Sequence, residues 1–336
     1  MTSGGAIGSR LDILEKTRDQ RGQRIRRVIN PEGTLRLATI RTDAGLRLHV
    51  KGARGYVDVA EGTGVAQYAS LQGVLEAGER ALEAIRGLSG RNGVEVAAGD
   101  FGPATPDATR ILCLGVNYAE HALEGGRDVP SWPECFVKTA GTILGPNDDL
   151  VAPALSETLD YEAELGVVIG KGGRYIRAED AQAAIAGYVA LNDVSAREWQ
   201  RAMTQWTPGK NFDASMPIGP EMVTTDELDI SAIRVQSILN GQIMQSASTA
   251  DMIVNVYKAV EYFSSFTALR PGDVIATGTP GGVGFGRKPP VWMKPGDVIE
   301  VAIEGIGSIR NTIVAEEAAP ADWPWHPKNP WSDWKM

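Results

Sequence analysis

Asp160-Tyr161-Glu162-Ala163-Glu164-Leu165-Gly166-Val167-Val168-Ile169 sets two carboxylates, one residue apart, at the mouth of an apolar run. A strand turns alternate side chains to one face, so Glu162 and Glu164 project together, roughly 7 Å apart at their roots, into whatever that face covers. Two like charges placed so need a counter-ion. A second apolar stretch, Gly187-Tyr188-Val189-Ala190-Leu191, also ends in an acid, Asp193 of Asn192-Asp193, and could bring a third carboxylate to the same place. Three convergent carboxylates suggest a divalent cation. An all-oxygen ligand set suits Mg²⁺, Mn²⁺ or Ca²⁺, and zinc is disfavoured because no Cys/His cluster with ligand spacing occurs. Taken alone, two acids alternating on a strand are more often the solvated outer face of an antiparallel sheet.

Of the 336 residues, 43% are hydrophobic and 22% charged, enough apolar material to bury a large core in one main domain with a smaller one beside it. A formal charge of −9 argues against a nucleic-acid or anionic-membrane surface as the general partner, because a polyanion would be repelled. Small molecules fit better. Cys113 and Cys135 are too few for a disulfide framework and lack metal-type spacing, so a reducing compartment and buried, inert thiols are expected. No stretch of about 18 apolar residues and no export signal is present, so the expectation is a soluble, cytoplasmic protein.

Four segments are expected: an N-terminal arm over 1–33, helical in part over 9–29; a small N-terminal domain and linker over 34–107; a catalytic domain over 108–316; and a Trp-rich tail over 317–336. Alternating segments over 35–40, 46–50 and 56–59 read as an antiparallel meander, and 68–88 carries a helical period. Further helices are expected at 178–186, with Gly187 just past the end, at 194–206 and at 249–265. Arg270-Pro271-Gly272-Asp273 and Lys294-Pro295-Gly296-Asp297 each read as a type II turn launching a strand. Trp323, Trp325, Trp331 and Trp334 are half of the eight tryptophans, and so much aromatic surface is expected to dock on this subunit or a neighbour.

Leu112-Cys113-Leu114-Gly115-Val116 reads as a buried strand leading into a short helix that carries His121 and Glu124. Residues three apart are neighbours on a helix, so Glu124 can hold one imidazole nitrogen and leave the other as a base. A chance HxxE pair on a surface helix is the commoner origin of such spacing when it stands alone. Lys210, in Thr207-Pro208-Gly209-Lys210, could stabilise a developing oxyanion or enolate, although an exposed lysine is the ordinary case. The Gly-rich run Ala276–Gly286 lacks the Gly-Lys-Ser/Thr ending of a phosphate loop, and Arg287-Lys288-Pro289-Pro290 follows where a dinucleotide fingerprint needs a helix. It reads as a loop whose backbone approaches a ligand, with Thr277 or Thr279 as hydroxyl donors. No Ser/His/Asp nucleophile can be assembled, since GxSxG is absent and His49 and His326 lie in the meander and the tail.

In order and spacing, Gly115-Val116-Asn117-Tyr118 with His121 and Glu124, Phe136-Val137-Lys138, Asp160–Leu165, Asn192–Arg197 with Gln200, Gly209–Asp213, Thr277–Gly284 and Lys294–Asp297 together resemble the fumarylacetoacetate hydrolase superfamily, with its acylpyruvate hydrolases and hydroxyheptadienedioate isomerases. The resemblance is strong over 110–316 and loose before it. It implies an α+β, mainly β fold, in which a rolled mixed β-sheet forms the catalytic domain beside a small N-terminal β domain, usually paired into a homodimer. By motif position Glu162, Glu164 and Asp193 match the ligands of one Mg²⁺ or Mn²⁺ per subunit. His121 and Glu124 match the water-activating dyad and Lys210 the electrostatic stabiliser. Gln200, Thr279, Tyr118 and Arg197 match substrate-binding positions, although Arg197 could equally be a structural partner of a carboxylate.

The activity this implies is metal-assisted hydrolysis of a carbon–carbon bond in a 1,3-diketone acid such as an acylpyruvate, with a 2-oxo acid as the small-molecule partner. Isomerisation, decarboxylation, or hydration and dehydration of a 2-oxo acid on the same site are the alternatives, and an intact dyad favours hydrolysis. A non-catalytic scaffold is the reading from another class; a complete acid triad beside a His/Glu pair argues against it.

Overall fold

In the computed structural model, which describes residues 35–226 and 228–320 with Trp323 and Trp325, the apolar run forms strand Ala163–Ile169 with every residue buried. It is covered on both faces because it lies inside a ten-stranded mixed sheet. In spatial order the sheet runs Tyr56–Asp58, Gly45–Lys51, Arg36–Thr42, Met216–Thr224, Ile185–Asn192, Ala163–Ile169, Val274–Ala276, Arg110–Gly115 and Glu134–Thr139, with Ile143–Leu144 pairing on Met216–Thr224. The expected meander forms its first three strands, and Arg36–Thr42 bonds to Met216–Thr224, so the meander continues the large sheet. Gln242–Ser248, Arg234–Leu239, Val298–Ile303, Gly307–Ala315 and Leu150–Ala152 make a second, five-stranded sheet.

Strand periodicity divides the core in two. Leu165, Val167 and Ile169 face helix Val256–Phe266 and, from the second sheet, Val301 and Ile303. Val168 faces the other way, toward Val74, Leu75 and Ile85 on helices Leu71–Ala77 and Glu79–Arg86. Glu162 and Glu164 share the parity of Val168. Helix Val256–Phe266 buries Val256, Ala259, Val260 and Phe263, the i, i+3, i+4, i+7 stripe of an amphipathic helix, and Asn255 caps it by accepting from the Lys258 N–H. Phe263 is 1% exposed. Phe263→Ala is expected to lower stability by about 3–5 kcal/mol, read as a lower urea midpoint at unchanged slope; an unmoved midpoint would mean that this helix adds little to the core.

Two expected helices are corrected. Over 178–186 there is one 3₁₀ turn, Ala181–Ala184, and the strand begins at Ile185. From Ile185 onward, pairing with Ala163–Ile169 outweighs the helical pattern, and Gly187 is no helix end. A Cβ there would lie 2.4 Å from the Val223 carbonyl oxygen, so glycine admits the neighbouring strand. Over 194–206, Ser195–Ala196 is drawn into a bridge with Leu159–Asp160, which leaves Arg197–Arg201 as the helix. The third expected helix divides into a 3₁₀ turn, Thr249–Asp251, and Val256–Phe266. Both Pro-Gly-Asp turns form, with φ of 87° at Gly272 and 93° at Gly296 as the third residue of a type II turn requires.

Trp323 and Trp325 are 50% and 52% exposed on this subunit. The arm over 1–33, Trp331, Trp334 and His326 lie outside the described residues. Among the described residues no helix is long and apolar enough to cross a membrane.

Candidate active site

Antiparallel register assembles the acids. Leu191 lies opposite Glu164 and Asn192 opposite Ala163, which sets Asp193 against Glu162, where its N–H donates to the Glu162 carbonyl at 2.9 Å. The Asn192 side chain accepts from the Glu162 N–H at 2.9 Å and fixes the chain where the strand begins. Ligating atoms of Glu162, Glu164 and Asp193 consequently lie within 4.8 Å of one another, all three residues buried. The solvated-face alternative is excluded.

Three buried cations hold two of these acids, Glu162 and Asp193. Lys210, at the end of the helical turn Thr207–Lys210, donates to Glu162 Oε2 and Asp193 Oδ2, both at 2.7 Å. Lys138 donates to Asp193 Oδ1 at 2.8 Å and to the carbonyls of Val194 and Ser215. Arg197 bonds Asp160 Oδ2 at 2.8 Å and Glu162 Oε1 at 2.7 Å. Burial pushes the Glu162 pKa up, but the Lys210 and Arg197 charges outweigh it and hold it at about 2. Glu164 goes the other way: burial and then the Asp193 and Glu162 charges push its pKa well up. Its Oε2 accepts only the Gly278 N–H, at 2.8 Å, and no cation pairs with it among the described residues.

The dyad forms as expected in geometry. His121 and Glu124 share helix Ala119–Glu124, and His121 Nδ1 lies 2.8 Å from Glu124 Oε1. Glu124 is in turn held by the Gly282 N–H at 2.7 Å. A carboxylate at Nδ1 selects the tautomer with its proton there, which leaves Nε2 as the acceptor. The Gly-rich loop does approach closely, but its backbone amides serve the protein's own acids: Gly278 on Glu164, Gly282 on Glu124, and Gly284 and Phe285 on Asp160.

His121, Glu162, Glu164, Arg197, Gln200, Lys210 and Thr279 all line one cavity of about 640 Å³. Asp193 lies behind Lys210, and Glu124 behind His121. Arg197 is the structural partner of carboxylates that its sequence position allowed, bonding Asp160 and Glu162, while its buried Nη2 finds no acceptor among the described residues. Gln200 Oε1 accepts from Arg197 at 2.9 Å. Thr279 Oγ1 donates to the Ala163 carbonyl and accepts from Gln245; Thr277 is spent on the Leu165 carbonyl. Tyr118 is corrected: it is 2% exposed, packs at the start of helix Ala119–Glu124 and does not line the cavity. Burial and the Glu164 and Asp251 charges raise the pKa of its hydroxyl. Cys113 is buried as expected, whereas Cys135 is exposed on the cavity wall.

Sequence reasoning gave no role to Lys138, Asp160 or Gln245. Asp160 opens the decisive stretch itself, and Lys138 is the one fully buried side chain of an otherwise part-exposed strand, Glu134–Thr139. The sequence shows neither burial, because a buried charge is visible only once its partner is.

The residues fit a divalent cation. Asp160, Glu162, Glu164 and Asp193 set four carboxylates against the three cations Lys138, Arg197 and Lys210, and the one left without a cation, Glu164, belongs to the triad. An all-carboxylate donor set suits a hard cation such as Mg²⁺ or Mn²⁺.

Comparison with known proteins identifies the family. Residues 110–314 match the family described as fumarylacetoacetate (FAA) hydrolase C-terminal. The mitochondrial oxaloacetate tautomerase FAHD2A of Bos taurus is 45% identical over 208 residues, covering 61% of this chain and 66% of the relative, just under two thirds of its length. Among solved structures, the fumarylacetoacetate hydrolase of Exiguobacterium antarcticum superposes with a TM-score of 0.72 at 33% identity, covering 84% of this chain and 100% of the other. The fumarylpyruvate hydrolase of Pseudomonas aeruginosa, solved with Mn²⁺ and pyruvate, gives 0.57 at 33% identity, covering 62% and 90%.

Proposed function

This chain belongs to the fumarylacetoacetate hydrolase family, and from that premise we propose that it is an enzyme interconverting the keto and enol forms of a small 2-oxo acid, with a divalent cation in the Glu162/Glu164/Asp193 triad. One observation carries the reading: a histidine with Nδ1 held by Glu124 opens on the same cavity as two of the three acids. The 45% identity to an oxaloacetate tautomerase supports proton transfer as the reaction. The chemistry a divalent cation supplies there is polarisation of the keto oxygen and stabilisation of the negative charge that develops on it.

The chain's own residues do the rest. His121 Nε2 takes the proton from the carbon beside the keto group; the C–H pair becomes the C=C bond and the carbonyl π pair moves to oxygen. Glu124 stabilises the imidazolium, which returns its proton to the enolate oxygen. Lys210, positively charged and 2% exposed, adds a fixed charge near that oxygen. Arg197 Nη2 supplies a polar contact to the acid.

A second reading, hydrolysis of an acylpyruvate, is favoured by the cavity volume of about 640 Å³, which admits an acyl chain and a water beside His121. There the same Nε2 takes a proton from water, whose oxygen adds to the distal carbonyl, and the carbon–carbon bond breaks to release the enolate of pyruvate. Enol absorbance of oxaloacetate and pyruvate release from acylpyruvates, each followed with Mg²⁺ or Mn²⁺ and with chelator, separate the two. Faster equilibration that falls to background on chelation and returns with metal is expected. Pyruvate release without faster equilibration replaces the first reading by the second, and no turnover in either assay removes both.

A further inference from the structure

Arg201 carries a positive charge on the cavity wall, and among the described residues no acid forms a salt bridge with it. It ends helix Arg197–Arg201, and its guanidinium carbon lies 4.4 Å from the Phe285 ring centroid, while that of Arg197, one helical turn earlier, lies 4.7 Å from the same ring. The other cations lining the cavity are each matched: Arg197 by Asp160 and Glu162, Lys210 by Glu162 and Asp193, Arg127 by Glu134. Asp160, the acid nearest in the sequence motif, is already taken by Arg197 and by the N–H groups of Tyr161, Gly284 and Phe285. Among the described residues, no carboxylate forms a salt bridge with Arg201.

A guanidinium stacked over an aromatic ring keeps its N–H fork free at the edge, pre-set for a planar, two-oxygen anion. We propose that Arg201 selects dicarboxylic 2-oxo acids by binding the carboxylate distal to the keto group, with Phe285 holding its guanidinium in place. This rests on the 2-oxo acid reading above and names its substrate class: the proximal acid group would lie on Arg197, beside the divalent cation that the triad would hold, and the distal one on Arg201.

Oxaloacetate and pyruvate differ by the distal carboxylate alone, so titration calorimetry of the Mg²⁺-loaded protein with each isolates the contact. The wild type is expected to bind oxaloacetate more tightly. Arg201→Gln is expected to weaken oxaloacetate roughly 10- to 100-fold, the range for hydrogen bonds to a charged group, with pyruvate unchanged, and Arg201→Lys to keep part of the preference. A wild type without preference, or an Arg201→Gln variant that weakens both ligands equally or neither, overturns the assignment. A preference that depends on Arg201 in a protein that does not accelerate keto–enol exchange sustains the site and removes the tautomerase reading instead.

Discussion

Replacing His121 by alanine is expected to lower kcat about 10²–10⁴-fold, the contribution of a positioned general base, without changing divalent-cation affinity. The separation follows from the hydrogen bonds. Each acid of the triad is held by groups other than His121: Glu162 by Lys210 and Arg197, Asp193 by Lys210 and Lys138, Glu164 by the Gly278 N–H. Glu124, the partner that His121 leaves behind, keeps the Gly282 N–H. The cation cradle therefore survives the loss of the base. Single-turnover kinetics and calorimetric titration with Mn²⁺ on the same preparation read both quantities. Turnover preserved at saturating metal would remove the base assignment under either reaction, whereas turnover and metal affinity lost together would make His121 part of the cradle.

How much of this was legible in the sequence depended on whether a feature is local. The acid triad was legible because strand alternation fixes the side of Glu162 and Glu164, and a second strand ending in Asp193 has one economical place to lie. The dyad was legible because helical spacing joins His121 to Glu124. What escaped needed a partner from far along the chain. Lys138 meets Asp193 across 55 positions and Asp160 meets Gly284 across 124, and no local pattern announces either. The failed helix over 178–186 has the same cause: one 3₁₀ turn, Ala181–Ala184, forms before Ile185 enters the strand beside Ala163–Ile169, and sheet pairing there overrides weak propensity. Tyr118 failed for the opposite reason. It stands beside functional residues in the sequence, yet it is buried at 2% exposure and does not line the cavity.

Lys210→Met is expected to move metal affinity and catalysis in opposite directions. Lys210 is buried and shares its ammonium between Glu162 and Asp193, at 2.7 Å from each. Methionine keeps the length and apolar stem but leaves those two acids with Arg197 and Lys138 as their remaining cations. Breaking a buried charge pair from one side costs about 3–5 kcal/mol, so in chelator the variant should melt well below the wild type. A divalent cation entering the triad answers the same carboxylates and no longer meets a like charge beside it. Binding should therefore tighten, and metal should return part of the lost stability through linkage, by about 2.7 kcal/mol at a hundredfold excess over Kd. Turnover should nonetheless fall about 10²–10³-fold, because a charge aimed at the developing enolate is gone. Were Lys210 only a strut holding the acids in place, its loss would disorder the cradle, and metal affinity would fall along with turnover. Thermal melts with and without Mg²⁺, set beside kcat, decide between a strut and an electrostatic participant.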